Sequence, residues 1–195
     1  MSFTTLKEAA LRLFAAGGYD AVPLSEIARE AGIKTPSIYS HFKSKDDLFL
    51  AVFEDCLQEH SRRMRALLGR LEGRTVEEQL FTILRDVSRT YLLSDEGMTF
   101  LKRTMLFPPL SLQETLRGRF AATEQELNAL LLRLFLRGME EGILRPEAPE
   151  DLAASFYCML DGSFLQQFYY QPDEYAHRIE AVWRIYWKGI STAKE

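Results

Sequence analysis

Residues 24–45 of the chain, LSEIAREAGIKTPSIYSHFKSK, have the spacing of two short helices joined by a tight turn. Ala28 is small where the second helix approaches the first, and Gly32 can supply the left-handed backbone that the turn needs. Ile38 is the apolar residue by which the second helix packs. The remaining buried face is assigned to Ile27, Ala31 and Ile33. This spacing predicts a helix-turn-helix, whose second helix enters the major groove of DNA.

The polar residues of the same stretch are of the kinds that bind a phosphate backbone. No acidic side chain occurs between residues 31 and 45, which we call the acid-free segment. Its basic side chains are Lys34, His41, Lys43 and Lys45, and its hydroxyl groups include Ser37, Tyr39 and Ser40. Taken singly, each residue also fits a solvated charge, a core edge or a surface histidine. Together, at this distance from the apolar anchors, they favour DNA as the partner.

Composition is consistent with a helical protein that binds through one surface. The chain has 195 residues, 47% of them hydrophobic, which is enough for a small domain joined to a larger one. A net charge of -4 argues against indiscriminate coating of nucleic acid. Cys56 and Cys158 lie in apolar stretches without metal-ligand spacing, so both are interpreted as buried thiols in a reducing compartment. The sequence has no apparent membrane span and no leader profile, so we expect a cytoplasmic location. We also expect neither a cofactor nor a metal.

Helical periodicity predicts an all-α protein of about nine helices and no strand. A hydroxyl residue followed three positions later by a carboxylate marks a helix start, because the pair satisfies free backbone donors. Such pairs are Thr5 with Glu8, Ser44 with Asp47, Thr75 with Glu78 and Ser111 with Glu114. The helices after the helix-turn-helix are predicted over residues 44–69, 76–93, 95–106, 112–141, 150–169 and 173–190. The helix over 44–69 is long enough to link two domains.

Four segments resemble, in order and spacing, the DNA-binding domain of the TetR/AcrR family of transcriptional regulators. They are FAAGGYDAV, EIAREAGI, SIYSHF and KSKDDLF, and they lie in about the first quarter of the chain. The resemblance implies a three-helix helix-turn-helix DNA-binding domain over residues 1–47 and a helical effector-binding and dimerisation domain over residues 48–195. It also implies a ligand-responsive repressor that binds a palindromic operator as a homodimer and is released by a small, largely apolar effector.

The same resemblance assigns DNA contacts to individual residues. Contacts with the DNA backbone are assigned to Tyr39, His41 and Lys45, and contacts with base edges to Lys34, Thr35, Ser37 and Ser40. Two prolines depart from the family's pattern. Pro23 stands where a hydroxyl residue commonly caps the second helix, and Pro36 stands where glycine is common. We therefore expect Ser25 to contact phosphate in place of the missing hydroxyl, and Thr35 to cap the third helix.

Specific DNA binding predicts a dimer, because one recognition helix contacts few base pairs and two copies about 34 Å apart are normally needed. The last two predicted helices carry apolar stripes that suit a dimer interface. The candidate interface residues are Phe156, Leu160, Phe168, Ile179, Val182, Trp183 and Tyr186. The alternative is that these stripes bury only the chain's own core. Family members form a four-helix bundle from the corresponding helices of two subunits, and this resemblance favours the dimer.

The middle helices contain candidates for an effector pocket. They are Phe53, Phe81, Met98, Phe100, Met105, Tyr157, Asp161 and Phe164. An effector bound there would move the linking helix and change the separation of the two DNA-binding domains. The alternative is that aromatic and methionine residues at helical spacing belong to the core. Asp161 lies in the apolar run FYCMLDGSFL, and its carboxylate needs a partner or solvent. It could bind a cationic ligand, lie at the dimer interface or contact water.

Three other functions are alternatives to this interpretation. A small helical enzyme would draw on His41, His60 and His177, but no nucleophile motif, metal-spaced pair or glycine-rich phosphate loop accompanies them. We therefore do not expect an enzyme. A helical adaptor that has lost DNA binding would fail to retard its own promoter fragment. A TetR-like activator is not distinguished from a repressor by the residues, and the family favours repression.

Overall fold

The computed structural model describes residues 3–90, 96–167 and 169–192. Its α-helices are α1 (Phe3–Gly17), α2 (Leu24–Glu30), α3 (Lys45–Leu68), α4 (Val76–Thr90), α5 (Glu96–Leu106), α6 (Gln113–Glu140), α7 (Pro149–Gln166) and α8 (Pro172–Ile190). Two 3-10 helices, η1 (Thr35–Ser40) and η2 (Leu110–Leu112), lie between them. Within the described ranges there is no β-strand, and an isolated bridge pairs Leu144 with Ser191. The all-α prediction is confirmed.

The third predicted helix is a 3-10 helix rather than an α-helix. Its backbone bonds join residues three apart: the Ser37 N–H donates to the Lys34 carbonyl, and the His41 N–H donates to the Ile38 carbonyl. Pro36 has no N–H to give to an α-helical ladder, and short 3-10 turns suit segments of this length. The eight α-helices together with η1 correspond one to one with the nine predicted helices.

The chain divides into two compact units. Unit 1 comprises the described residues of 1–63 and 94–123, and unit 2 comprises those of 64–93 and 124–195. Unit 1 therefore contains the helix-turn-helix together with α5 and the start of α6. The separation at residues 47 and 48 that the resemblance implies stays a prediction.

An aromatic cluster forms the centre of unit 1. Phe49 stands edge-on to Phe14 and to Phe100, with ring centroids 5.0 Å and 5.1 Å apart respectively. The rings of Phe53 and Phe100 are 6.4 Å apart. All four side chains are fully buried. Phe53 and Phe100, two candidates for the effector pocket, are thus packed against neighbouring rings in the core of this unit.

The core of unit 2 is built from α4, α6, α7 and α8, and it includes residues that the sequence analysis assigned to a dimer interface. These buried residues are Phe156, Leu160, Ile179 and Trp183. These four side chains pack within their own chain, as in the alternative given for the apolar stripes, and their assignment to a dimer interface stays a prediction. Val182 is exposed and Tyr186 is half-buried. Phe168 lies outside the described residues.

The end of α8 is tied to the connection between α6 and α7. The Arg145 N–H donates to the Ile190 carbonyl at 2.9 Å, and the Thr192 N–H donates to the Ile143 carbonyl at 2.9 Å. Gly138 allows this connection to pack closely, since a Cβ atom there would lie 2.6 Å from Leu144. These contacts close unit 2 around its core.

Two of the four predicted helix starts are confirmed. The Glu78 N–H donates to Thr75 Oγ1 at 3.2 Å and the Thr75 N–H donates to Glu78 at 2.9 Å, a complete capping box. The Asp47 N–H donates to Ser44 Oγ at 3.1 Å. The other two starts were wrong by a few residues, because α1 already contains Thr5 and because Ser111 lies within η2.

Replacing Thr75 with alanine is expected to lower the free energy of unfolding by about 1 kcal/mol, because the first turn of α4 loses its cap. Urea denaturation measures this change. Thr115→Ala is the matched control, since Thr115 is exposed within α6. Equal effects of the two substitutions would show that the capping box does not stabilise α4.

The prediction for the two thiols was half right. Cys56 is buried in unit 1, whereas Cys158 is exposed on α7. The apolar run around Cys158 spans both faces of a helix, so sequence alone did not reveal which residues face outward. Among the described helices, none is long and apolar enough to cross a membrane.

Candidate nucleic-acid interface

The helix-turn-helix is held together by the anchors that its spacing predicted. Ile27 and Ala28 on α2 are buried, and so are Ala31 in the turn and Ile38 on η1. Ile33 is only half-buried, because it lies at the edge of this small core. Burial of Ile38 orients η1, so the polar residues that flank it point to solvent.

The turn between α2 and η1 depends on Gly32. Its φ of +68° lies in the left-handed region, which side chains with a Cβ atom rarely adopt. The Gly32 N–H donates to the Arg29 carbonyl at 3.1 Å and the Ile33 N–H donates to the Ala28 carbonyl at 2.9 Å. These bonds satisfy the last carbonyls of α2 and fix where η1 begins.

All eight residues that were predicted to contact DNA reach the surface of unit 1. Six are exposed and two are half-buried. The exposed ones are Ser25, Lys34, Ser37, Tyr39, Ser40 and His41, and the half-buried ones are Thr35 and Lys45. Tyr39 is 59% exposed, so its ring and hydroxyl group are accessible to a partner.

The start of η1 differs from the prediction. Lys34 is the capping position, with extended backbone and no side-chain capping bond, and Thr35 is already the first residue of η1. The prediction that Thr35 caps this helix was therefore wrong by one position. Ser40 is also constrained, because its hydroxyl donates to the Ser37 carbonyl at 2.7 Å. Its oxygen is left to act as an acceptor, so it does not donate to phosphate in this conformation.

Lys45 contacts the ring of Tyr19 and lies near the carboxylates of Asp20 and Asp46. Its Nζ lies 4.2 Å from the centre of the Tyr19 ring, a cation–π contact. The Tyr19 hydroxyl donates to Asp46, and burial, followed by that bond, raises the pKa of Tyr19 to about 12. Tyr19 thus stays protonated at neutral pH. Burial lowers the pKa of Lys45, while Asp20 and Asp46 oppose this shift.

The sequence analysis missed Tyr19 as a positioning residue. It lies within the quoted segment FAAGGYDAV, and its separation of 26 residues from Lys45 gave no local signal of contact. By stacking beneath the ammonium group, the ring limits where Lys45 can reach.

Arg103 is a second residue that sequence analysis missed. From α5, its guanidinium group donates to the Ala16 carbonyl at 2.9 Å and to the Gly17 carbonyl at 3.4 Å. These carbonyls end α1, where a helix has unpaired acceptors and partial negative charge. Gly18, with φ of +81°, keeps this site open, since a Cβ atom there would lie 2.9 Å from Arg103 Nε. Within unit 1, α5 is thereby attached to the helix that precedes the helix-turn-helix.

The eight predicted effector-pocket residues fall in both units. Phe53, Met98, Phe100 and Met105 belong to unit 1, whereas Phe81, Tyr157, Asp161 and Phe164 belong to unit 2. Met105 is 48% exposed. Phe81 packs against Trp183 with ring centroids 5.5 Å apart, within the core region of unit 2. Their role in a pocket stays a prediction.

Buried anchors, a glycine turn and an exposed acid-free surface together define a protein of the helix-turn-helix class. Residues 6–52 match the sequence profile of the family described as "Bacterial regulatory proteins, tetR family". This match confirms the resemblance to the TetR family that was seen in the sequence.

Individual relatives show the same resemblance. The chain is 27% identical over 133 residues to the HTH-type transcriptional repressor ComR of Escherichia coli K12, a match that covers 66% of this chain and 63% of ComR. It is 47% identical over 47 residues to the HTH-type transcriptional regulator AcrR of Shigella flexneri, covering 24% of this chain and 22% of AcrR. The matched regions thus span less than two thirds of these relatives.

The similarity of fold extends over nearly the whole chain. The crystal structure of the transcriptional regulator FadR from Bacillus subtilis in complex with stearoyl-CoA superposes with a TM-score of 0.69. The superposition covers 97% of this chain and 100% of FadR at 20% sequence identity. At this identity the comparison establishes the fold alone.

Proposed function

We propose that this chain is a repressor of transcription that binds a palindromic DNA operator as a homodimer and is released by a small, largely apolar effector. The observation that carries the proposal is the acid-free segment, exposed on a helix-turn-helix whose anchors are buried. Such a surface can neutralise phosphates although the whole chain has a net charge of -4. This function would place the protein in the cytoplasm with its operator.

The roles of individual residues follow from their chemistry. Tyr39, His41 and Lys45 would bind the DNA backbone, with Ser25 as a further hydroxyl donor from α2. Lys34, Thr35 and Ser37 would contact base edges, and Ser40 would act there only as an acceptor. A bidentate contact between Lys34 and guanine would contribute about 1 to 3 kcal/mol of discrimination against another base.

The proposed dimer would form through a surface that we call the outer face. It consists of exposed residues on α7 and α8 of unit 2: Ala154, Cys158, Gly162, Leu165, Val182 and Ile185. On α7 these residues recur every three or four positions, so they share one side of the helix, and three of them are small enough for close helix approach. Ile185 is 70% exposed and Val182 is 43% exposed, which favours coverage by a second copy.

A group of polar side chains in unit 2 supports an effector site. Asp161 on α7 is exposed, and the partial loss of its hydration raises the pKa of its carboxyl group. Burial, followed by the charge of Asp161, raises the pKa of Glu124 on α6. Within the described part of the chain neither carboxyl group has a hydrogen bond or ion pair, and the buried Tyr157 hydroxyl has no hydrogen-bond partner. These groups could bind the polar end of an effector, while Phe81 and Phe164 remain candidates for its apolar part.

The effector would act by shifting a population of conformations. The single helix α3 begins at Lys45, next to the DNA-binding residues, and its last residues belong to unit 2. A ligand that prefers the conformation unfit for DNA favours that state. A hundredfold loss of DNA affinity requires a difference in binding free energy of only about 2.7 kcal/mol.

Lys45→Ala and Ser37→Ala are expected to affect DNA binding in different ways. Loss of a phosphate contact should weaken binding to all duplexes and reduce the dependence of log affinity on log salt by about 1 per subunit. Loss of a base contact should mainly change the order of preferred sequences. Selection of bound fragments from genomic DNA supplies the operator, and titrations at several salt concentrations measure both effects.

Arg133→Ala is the control for the loss of one positive charge, since Arg133 is exposed on α6 in unit 2. Its effect on binding should be small. If Lys45→Ala and Ser37→Ala weakened specific and random DNA equally, the assignment of their roles would be contradicted.

A further inference from the structure

A cleft of about 330 Å³ opens in unit 1 between α1, the second half of α3 and the start of α5. Its volume lies at the lower end of the roughly 300 to 1,000 Å³ that small-molecule sites occupy. All the residues that line it belong to unit 1, so it is separate from the polar group of Tyr157 and Asp161 in unit 2.

Part of the lining of the cleft is apolar. Leu11 from α1, Cys56 from α3 and Met98 from α5 supply hydrocarbon and sulfur surface, and Gly97 adds no side chain. Cys56 and Met98 are buried, so these walls are fixed by the packing beneath them. An occupant would therefore need an apolar body that contacts three helices at once.

The charged residues of the lining have an excess of negative charge. Asp55, Glu59 and Glu96 line it together with Arg63. Asp55 is paired with Lys7, and Glu59 is paired with Arg62 at 2.7 Å and with Arg63 at 2.8 Å. Glu96 has no ion pair or hydrogen bond in the described part of the chain. It is therefore the carboxylate in the cleft that is free to accept a cation.

His60 supplies the remaining polar surface without adding positive charge. Burial, followed by the charge of Arg63, lowers the pKa of His60, so its imidazole is neutral at pH 7. An anionic ligand would thus meet the carboxylate of Glu96, and the guanidinium group of Arg63 is already bound to Glu59. This balance disfavours an anion and favours a cation.

We propose that the cleft binds a small organic cation, whose ammonium group pairs with Glu96 and whose apolar body packs against Leu11 and Met98. The proposal deepens the proposed function and rests on it for the effect on DNA binding. Two walls of the cleft are formed by α1 and α3, which flank the helix-turn-helix in the chain. Occupancy of the cleft would then change the affinity for DNA. Binding itself is measurable without DNA.

Calorimetric titration of the full chain with three probes of similar shape tests the ligand class. The probes are 2-phenylethylamine, 2-phenylethanol and 3-phenylpropionate, which carry a cation, a neutral hydroxyl group and an anion. We expect saturable binding of the amine, about fivefold tighter than the alcohol, as for a partly solvated ion pair. The carboxylate should bind most weakly. No saturable binding of the amine, or preference for the carboxylate, overturns the proposal.

Two variants locate the site. Glu96→Gln should remove the preference for the amine over the alcohol, and Leu11→Trp should weaken both by filling the cleft. Glu140→Gln is the control, because Glu140 is exposed in unit 2. If Leu11→Trp fails to fold, Leu11→Phe, which fills less of the cleft, replaces it. An unchanged amine preference in Glu96→Gln overturns the proposal.

DNA retardation by the unliganded protein is measured on the same preparation. Failure to retard selected fragments would contradict the proposed function and leave the titration result standing. Retardation together with absent amine binding would contradict only the cleft proposal.

Discussion

Replacing Phe49 with alanine is expected to lower the free energy of unfolding by about 3 to 5 kcal/mol, the range for deleting a large buried aromatic side chain. Phe49 is 2% exposed and touches three rings, with centroids 5.0 Å from Phe14, 5.1 Å from Tyr19 and 5.1 Å from Phe100. It therefore packs α1, α3 and α5 against one another. Because Tyr19 also contacts Lys45, the loss should weaken DNA binding as well. Chemical denaturation measures the change in stability.

Phe107→Ala is the matched control, because it deletes the same side chain from a position that is 78% exposed in the same unit. Its effect should stay within about 0.5 kcal/mol. A loss below about 1 kcal/mol for Phe49→Ala would mean that the aromatic cluster does not hold unit 1 together.

Ile185→Glu is expected to produce a monomer and to reduce affinity for the operator by about a hundredfold or more. A carboxylate in the outer face would lose its hydration on dimerisation, and a monomer loses the gain in affinity that two linked DNA-binding domains provide. Ile185 is 70% exposed in the single chain, so the substitution should leave the fold unchanged. Sedimentation velocity and DNA titration measure the two effects.

Ala176→Glu adds the same charge to an exposed position on another side of α8 and serves as the control. It should remain a dimer. A dimeric Ile185→Glu protein with normal affinity for DNA would show that the outer face is not the interface.

Local spacing was sufficient to predict the helix-turn-helix. Ala28, Gly32 and Ile38 each have a role that is determined by residues within a few positions, and the structure shows them buried or, for Gly32, in the left-handed conformation. The capping box of Thr75 and Glu78 was predicted for the same reason. Interactions that close within one or two helical turns leave their pattern in the sequence.

Contacts between distant segments could not be predicted in this way. Arg103 reaches carbonyls 86 and 87 residues earlier in the chain, and no spacing rule connects them. The choice of dimer-interface residues from sequence was limited for a different reason. α8 carries apolar residues on two sides, so periodicity did not decide between Ile179 with Trp183, which are buried, and Val182 with Ile185, which are exposed.

The central claim is that η1 lies in the major groove of an operator that two subunits share. It is tested most directly by attaching a DNA-cleaving iron chelate to a Ser37→Cys, Cys158→Ser protein, in which Cys56 is buried and protected. Mapping the cuts on a selected operator should reveal two clusters, one in each half-site, separated by about one helical turn or a multiple of it. Uniform cutting, or none when the DNA is fully retarded, would contradict the account.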